Sequence, residues 1–138
     1  MASYSLFNSS LGLYLTSSYA GDGLYAPVYG KSSSVDVWNL DIDEVEPYLE
    51  SKIHAYISGH EVYLYASTWK NPEGLKDVIS KAPDETDPLM FTFTPTGGVD
   101  GEYYISATGT SLYLHLMSES IHPAYLHPDA QAWILKAV

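Results

Sequence analysis

GLYLT at residues 12–16, EVYLY at 61–65 and SLYLH at 111–115 repeat one figure: an apolar residue, a tyrosine and a leucine. Tyr14, Tyr63 and Tyr113 stand 49 and 50 residues apart. Self-similarity at a period of about 20–50 residues marks an architecture assembled from copies of one unit, so the flanks of each copy decide the reading.

Before each copy lies a strand-like segment: YSLFNSS from Tyr4, KIHAYISG from Lys52 and GEYYISATG from Gly101. A few small or polar residues separate each segment from its triplet, the pattern of a β-hairpin. A loop with Gly or Pro follows, then a third apolar segment: GLYAPVYG from Gly23, GLKDVIS from Gly74 and PAYLHP from Pro123. The fourth segment is aromatic: VDVWNLDI from Val35, LMFTFTPT from Leu89 and QAWILKAV from Gln131. Three units of four short strands result, at about 2–48, 49–98 and 99–138.

Alternation favours strands over helices. In VDVWNLDI one face carries Val35, Val37, Asn39 and Asp41, and the other carries Asp36, Trp38, Leu40 and Ile42; FTFT at Phe91–Thr94 alternates more plainly. One segment reads two ways: Asn71-Pro72-Glu73 suits an N-cap and first turn, and Leu75, Val78 and Ile79 fall at helical spacing, so a helical turn competes with a strand there.

No single unit is thick enough to bury a core, which excludes an open stack of units at this length. Closing three units around an axis removes the difficulty. The first and fourth strands of each unit then form a six-stranded barrel, three hairpins cap one end, and Trp38, Phe91 and Trp133 fill equivalent core positions. That all-β architecture is the β-trefoil. The repeated triplet then supplies one inward apolar layer three times, each buried Leu or aromatic contributing about 1.5–3 kcal/mol.

Composition narrows the function. The 138-residue chain is the size of one domain and has no cysteine, which excludes a disulfide framework and suits a reducing compartment. The start MASYSLFNSSLGLYL lacks the basic and unbroken apolar regions of a secretory signal, and no apolar run approaches the roughly 20 residues of a membrane span, so a cytoplasmic location is expected. Without a signal the sequon at Asn8 would not meet the glycosylation machinery. Six Lys and Arg against 17 Asp and Glu give a formal charge of −11, which repels phosphate backbones and anionic lipid. Nucleic acid and membrane insertion are therefore set aside. The acidic runs Asp41–Glu46 and Asp84–Asp87 read as solvated loops, because neither has the Gly and distal Glu of a calcium loop. The thirteen tyrosines pair a large apolar face with a polar tip, which suits half-buried strands and recognition surfaces alike.

Gln131-Ala132-Trp133 matches the Q-x-W signature of ricin-B-type trefoil lectins, with Asp36-Val37-Trp38 and Leu89-Met90-Phe91 at the corresponding positions of the other units. In size, missing cysteines and the ending AQAWILKAV the chain resembles the small cytoplasmic lectins of mushroom fruiting bodies. The resemblance implies non-catalytic glycan binding, often in defence against grazing animals, with glycans or glycoproteins as partners. It also implies one shallow pocket per unit, where an aromatic ring stacks on the sugar and polar groups bond its hydroxyls. Ricin-type members place an Asp just after the second-strand triplet; this chain has Thr16, Tyr65 and His115 there, which departs from galactose recognition of that type.

Candidate carbohydrate-binding residues follow for each unit. The first offers Asp22, Tyr25, Tyr29 and Asn39, with Tyr29 nine residues before Trp38. The second offers Trp69 and Asn71 in the loop TWKNPEG, where a core Trp would be out of place. The third offers His115, Tyr125, His127, Asp129 and Gln131, with Tyr125 or His127 as the platform and the Gln131 amide as a loop anchor.

No cofactor is implied. His54, His60, His115, His122 and His127 form no metal-ligand spacing, and no nucleophile motif or phosphate-binding Gly loop points to an enzyme. Two other readings stand beside the lectin. A trefoil protease inhibitor would act through a loop carrying Lys31, Lys70, Lys76 or Lys81, or through Gly97-Gly98 or Gly21-Asp22-Gly23. A lectin-like subunit would instead bind another protein or a second copy of itself through its aromatic surface.

Overall fold

The computed structural model describes residues 2–21, 24–33, 36–117 and 122–138. Among these residues every regular element is a β-strand. The strands are β1 (Ala2–Asn8), β2 (Leu13–Ser17), β3 (Ala26–Lys31), β4 (Trp38–Leu40), β5 (Glu50–Ser51), β6 (Ile53–Ile57) and β7 (His60–Lys70). They continue as β8 (Lys76–Lys81), β9 (Phe91–Pro95), β10 (Glu102–Ala107), β11 (Tyr113–His115), β12 (Tyr125–His127) and β13 (Ala132–Ala137).

One circuit of antiparallel pairings closes on itself. β1 pairs with β4 and β4 with β6; β5 runs into β6 across Lys52 and pairs with β9; β9 pairs with β10, β10 with β13, and β13 with β1. Closure leaves no free edge among these strands. The hairpins β2–β3, β7–β8 and β11–β12 meet one another, through β3 against β8 at Ala26/Ser80 and β8 against β12 at Asp77/Tyr125. The Ala124 amide donates to the Val28 carbonyl, and the Val78 amide to that of Ala124.

Turn chemistry sets the hairpin registers. Between Ile57 and His60 the two-residue turn Ser58-Gly59 has φ of 52° and 79°, the doubly positive pair that matches the twist of the flanking strands.

The core inside the circuit holds Leu6, Trp38, Leu40, Ile53, Phe91, Phe93, Ile105 and Trp133, all fully buried. Of each triplet, Leu15, Leu64 and Leu114 point inward, whereas Tyr14, Tyr63 and Tyr113 are half-buried and pack on a ring of the neighbouring strand: Phe7, His54 and Tyr104. The inward layer expected of the whole triplet is thus carried by its first and last residues, with Val62 fully buried and Leu13 and Leu112 packed against the core. In a period-2 strand the middle residue must face the other way.

The same three leucines receive the core aromatics. Trp38 Nε1 donates to the Leu15 carbonyl at 3.0 Å, and Trp133 Nε1 to the Leu114 carbonyl at 3.1 Å. Phe91 has no such donor, and the Leu89 backbone amide donates to the Leu64 carbonyl instead, at 2.9 Å. Two residues before each Trp, an acceptor side chain takes a backbone amide: Ser17 N donates to Asp36 Oδ2 at 2.7 Å, and Leu116 N to Gln131 Oε1 at 2.7 Å. Burial raises the Asp36 carboxyl above its usual range, although the bond from Ser17 and the charge of Lys31 favour the ionised form.

The helical alternative after Asn71 does not form. Asn71 Oδ1 accepts from the Glu73 and Leu75 amides, and Gly74 at φ 80° closes a turn into β8. Val78 and Ile79 are both buried because one packs into the core and the other beneath the surface aromatics, so apolar neighbours in sequence do not require a helix. Asn8 is buried and donates from Nδ2 to Gln131 Oε1 at 2.8 Å, so the sequon side chain is taken up by the fold.

Candidate functional site

The second hairpin carries the most exposed tryptophan among the described residues. Along β7 the register runs from Ala66 opposite Val78 to Lys70 opposite Lys76, so Ser67, Thr68 and Trp69 together face Asp77. A bulge of this kind leaves residues unpaired and re-aims their side chains. Ser67 stitches it: its buried hydroxyl donates to the Trp69 carbonyl at 2.6 Å and accepts from the Asp77 amide at 2.9 Å. The indole is thereby turned outward, 39% exposed, and its Nε1 donates to Asp77 Oδ2 at 3.0 Å.

Trp69 walls an open cavity of about 510 Å³ with Lys70, Asn71, Pro72, Glu73, Asp77, Met117, His122, Pro123 and Tyr125. This volume lies within the roughly 300–1,000 Å³ of small-molecule sites. Two sequence candidates from the second unit, Trp69 and Asn71, and one from the third, Tyr125, therefore share a single site. Asn71 uses its side-chain carbonyl in the turn and lines the cavity from that fixed position. Tyr125 is 4% exposed; burial first, then the carboxylates of Glu73 and Asp129, raise its phenol, which stays protonated and able to donate.

Behind Tyr125 stand two histidines. His115 and His127 stack with ring centres 4.4 Å apart, and Tyr125 meets both rings near perpendicular at 5.2 and 5.5 Å. The Asp129 carbonyl can only accept, so His115 Nδ1 carries a proton toward it at 2.9 Å; His115 Nε2 then accepts from Gln131 Nε2 at 3.4 Å. His127 Nδ1 accepts from the Asp129 amide at 2.9 Å, which leaves the neutral ring's proton on Nε2, 3.9 Å from Glu73 Oε2. Burial pushes the His115 imidazole below its ordinary value, opposed by the bond to Asp129 and reinforced by the neighbouring His127. Gln131 is spent on the fold: Oε1 accepts from Asn8 Nδ2 and Leu116 N, and Nε2 donates to the Leu116 carbonyl and toward His115. All four bonding positions of the amide are in use, so Gln131 anchors the loop and is not a ligand contact. The Asp129 side chain is exposed and approaches His127 Nδ1 at 3.9 Å.

The first-unit candidates do not converge. Tyr25 sits against Trp69, ring centres 5.1 Å apart, and lines a second cavity of about 280 Å³ with Leu24, Ala66, Thr68, Trp69, Ile79, Lys81 and Asp84. Tyr29 is half-buried opposite Thr16 on β2, whose buried hydroxyl has no partner. Asn39 accepts from Ser3 Oγ at 2.7 Å, on β4. Asp22 lies outside the described residues.

Glu73, Asp77, Met117 and His122 were not legible as site residues. Asp77 had a signal in the alternation of KDVIS, where it faces away from Val78, but only the bulge brings it to the indole. Among the described residues no three His, Asp or Glu side chains converge closely enough to hold a metal ion. His54 is buried between Asp41 at 2.8 Å and Glu61 at 3.4 Å. No helix of the described residues is long and apolar enough to cross a membrane.

No protein-family model matches the chain, and no curated protein matches it. Among solved structures it is similar to a designed 3-fold symmetric protein, ThreeFoil, at 22% sequence identity and a TM-score of 0.69, with 99% of each chain covered. At that identity the likeness carries the fold, a β-trefoil, and nothing about ligands.

Proposed function

We propose that the chain is a non-catalytic carbohydrate-binding protein, a β-trefoil lectin of the ricin-B kind with four-stranded repeats at about 2–48, 49–98 and 99–138. The observation that carries the reading is the exposed Trp69 indole, held by Asp77 at the wall of a cavity that also presents Glu73, Asn71 and the Tyr125 phenol. A sugar offers a patch of C–H bonds on one face and hydroxyls around its rim. A fixed π-face supplies the first contact, and carboxylate, amide and phenol groups supply the second. The bond from Nε1 to Asp77 fixes the ring before any ligand arrives, which lowers the ordering cost of binding.

The site differs from one pocket per repeat. It joins the second hairpin to β12 of the third unit, and buried Thr16, buried Tyr65 and His115, whose Nδ1 is turned to the Asp129 carbonyl, leave the positions expected of a ricin-type galactose site without the carboxylate. A cytoplasmic, defensive lectin like those of mushroom fruiting bodies remains the natural setting for an acidic, cysteine-free chain of this size.

A glycan array probed with the purified protein tests the proposal. The expected result is reproducible binding to a related set of glycans, lost in Trp69→Ala while the circular-dichroism spectrum and cooperative unfolding are retained. An array without binding by the folded protein overturns it.

A further inference from the structure

Trp69 belongs to two cavities at once. On one side lies the 510 Å³ site with Glu73, Asp77 and Tyr125, and on the other the 280 Å³ hollow floored by Ile79 and walled by Tyr25, Leu24 and Thr68. The β7 bulge lifts the indole between them as a ridge, and Tyr25 flanks it at 5.1 Å between ring centres. Leu24 and Tyr25 line the smaller cavity at 89% and 47% exposure and Met117 the larger at 36%, large apolar side chains left open to solvent on both sides of the ring.

Building on the lectin reading, we infer that the two cavities are successive subsites of one groove, with Trp69 as the shared wall. Its ligand class is then a non-anionic oligosaccharide of at least two sugar rings. A single sugar engages one side of the ridge only. A second ring reaches Tyr25 and Leu24, and its stacking adds to the first at no further cost in translational freedom.

The charges on the groove set the class. Glu73, Asp77 and Asp84 oppose Lys70 and Lys81, three negative groups against two positive. Lys81 is already engaged, with Nζ 2.8 Å from Asp84 Oδ2 and 4.3 Å from the centre of the Tyr65 ring. On a chain of charge −11 this groove repels sialylated, uronic or sulfated glycans and accepts neutral or amino sugars.

The test uses the intact protein on immobilised neutral, amino and acidic glycans, each as one-, two- and three-ring members. Binding is expected only to neutral or amino glycans of two or more rings, weakened about three- to tenfold by Tyr25→Ala and by Leu24→Ser and unchanged by Tyr56→Ala, an exposed residue outside both cavities. Equal binding of one-ring and longer members overturns the groove and leaves the lectin reading standing. So does an oligomer preference that survives both groove variants, or a preference for acidic glycans. Binding to no glycan overturns the groove and the lectin reading together.

Discussion

Trp133 and Trp69 each donate an indole N–H, the first to the Leu114 carbonyl at 3.1 Å and the second to the Asp77 carboxylate at 3.0 Å. Trp133 is fully buried on β13 in regular register, whereas Trp69 stands on a bulge with 39% of its surface in solvent. The contrast separates two uses of one side chain. A buried indole must bond a fixed backbone acceptor, because an unmet N–H in the core costs about 1–3 kcal/mol. A rim indole bonded to a carboxylate keeps its orientation and leaves its face open.

The contrast is sharpest when each ring is removed. Trp133→Ala is expected to lower stability by about 3–5 kcal/mol through the cavity and lost burial, a fall of roughly 10–20 °C in the unfolding midpoint measured by calorimetry. A fall of only a few degrees would break the core side of the comparison.

Next in size is the anchor beside that ring. Gln131→Ala leaves the Asn8 amide and both polar groups of Leu116 without their partner, an expected loss of about 1–3 kcal/mol in denaturant unfolding. Asp36, which among the described residues takes the Ser17 amide, should cost less when changed to Ala, since fewer groups are orphaned and its own half-buried charge is relieved.

Acidification sharpens the rim side. Because the folded chain holds His115 less basic than the unfolded chain does, protons bind the unfolded state first as pH drops below about 6.5. The contribution of His115 is therefore complete above that value and lost as pH falls through the lower folded pKa. Unfolding midpoints measured from pH 7.5 to 5 should decline, and His115→Gln should flatten the decline; an unchanged slope would show that other groups carry it.

Smallest on stability is Trp69→Ala, expected to cost about 1 kcal/mol, well below Trp133→Ala, because 39% of its surface already lies in solvent while the contact with Tyr25 and the bond to Asp77 are lost. Its measured stability, set beside its glycan binding, separates a ring kept for the fold from one kept for a ligand.

Which parts were legible follows from the range of the forces involved. Alternation in FTFT and the recurrence of Leu15, Leu64 and Leu114 are local consequences of a period-2 backbone, and they carry the all-β reading and the inward residues. Leu75, Val78 and Ile79 left a helical turn open beside a strand because both faces of β8 are buried, which only a partner on each side reveals. Trp69 was readable as a surface ring from the turn residues that follow it, although it stands on the β7 bulge and not in a loop, and its partners were not readable. Asp77 reaches it through a bulge, and Tyr125 and Tyr25 reach its neighbourhood from other hairpins.

By itself the sequence determined the strand periodicity, the threefold recurrence of the triplet, the acidic charge and the aromatic supply, because each is a property of residues near one another along the chain. Only the tertiary structure decided that Gln131 is wholly bound, that the first-unit candidates scatter, and that Trp69 stands between two cavities. Those outcomes depend on which backbone groups and side chains meet across the closed circuit of strands. Such meetings join residues as far apart as Asn8 and Gln131, and no local pattern records them.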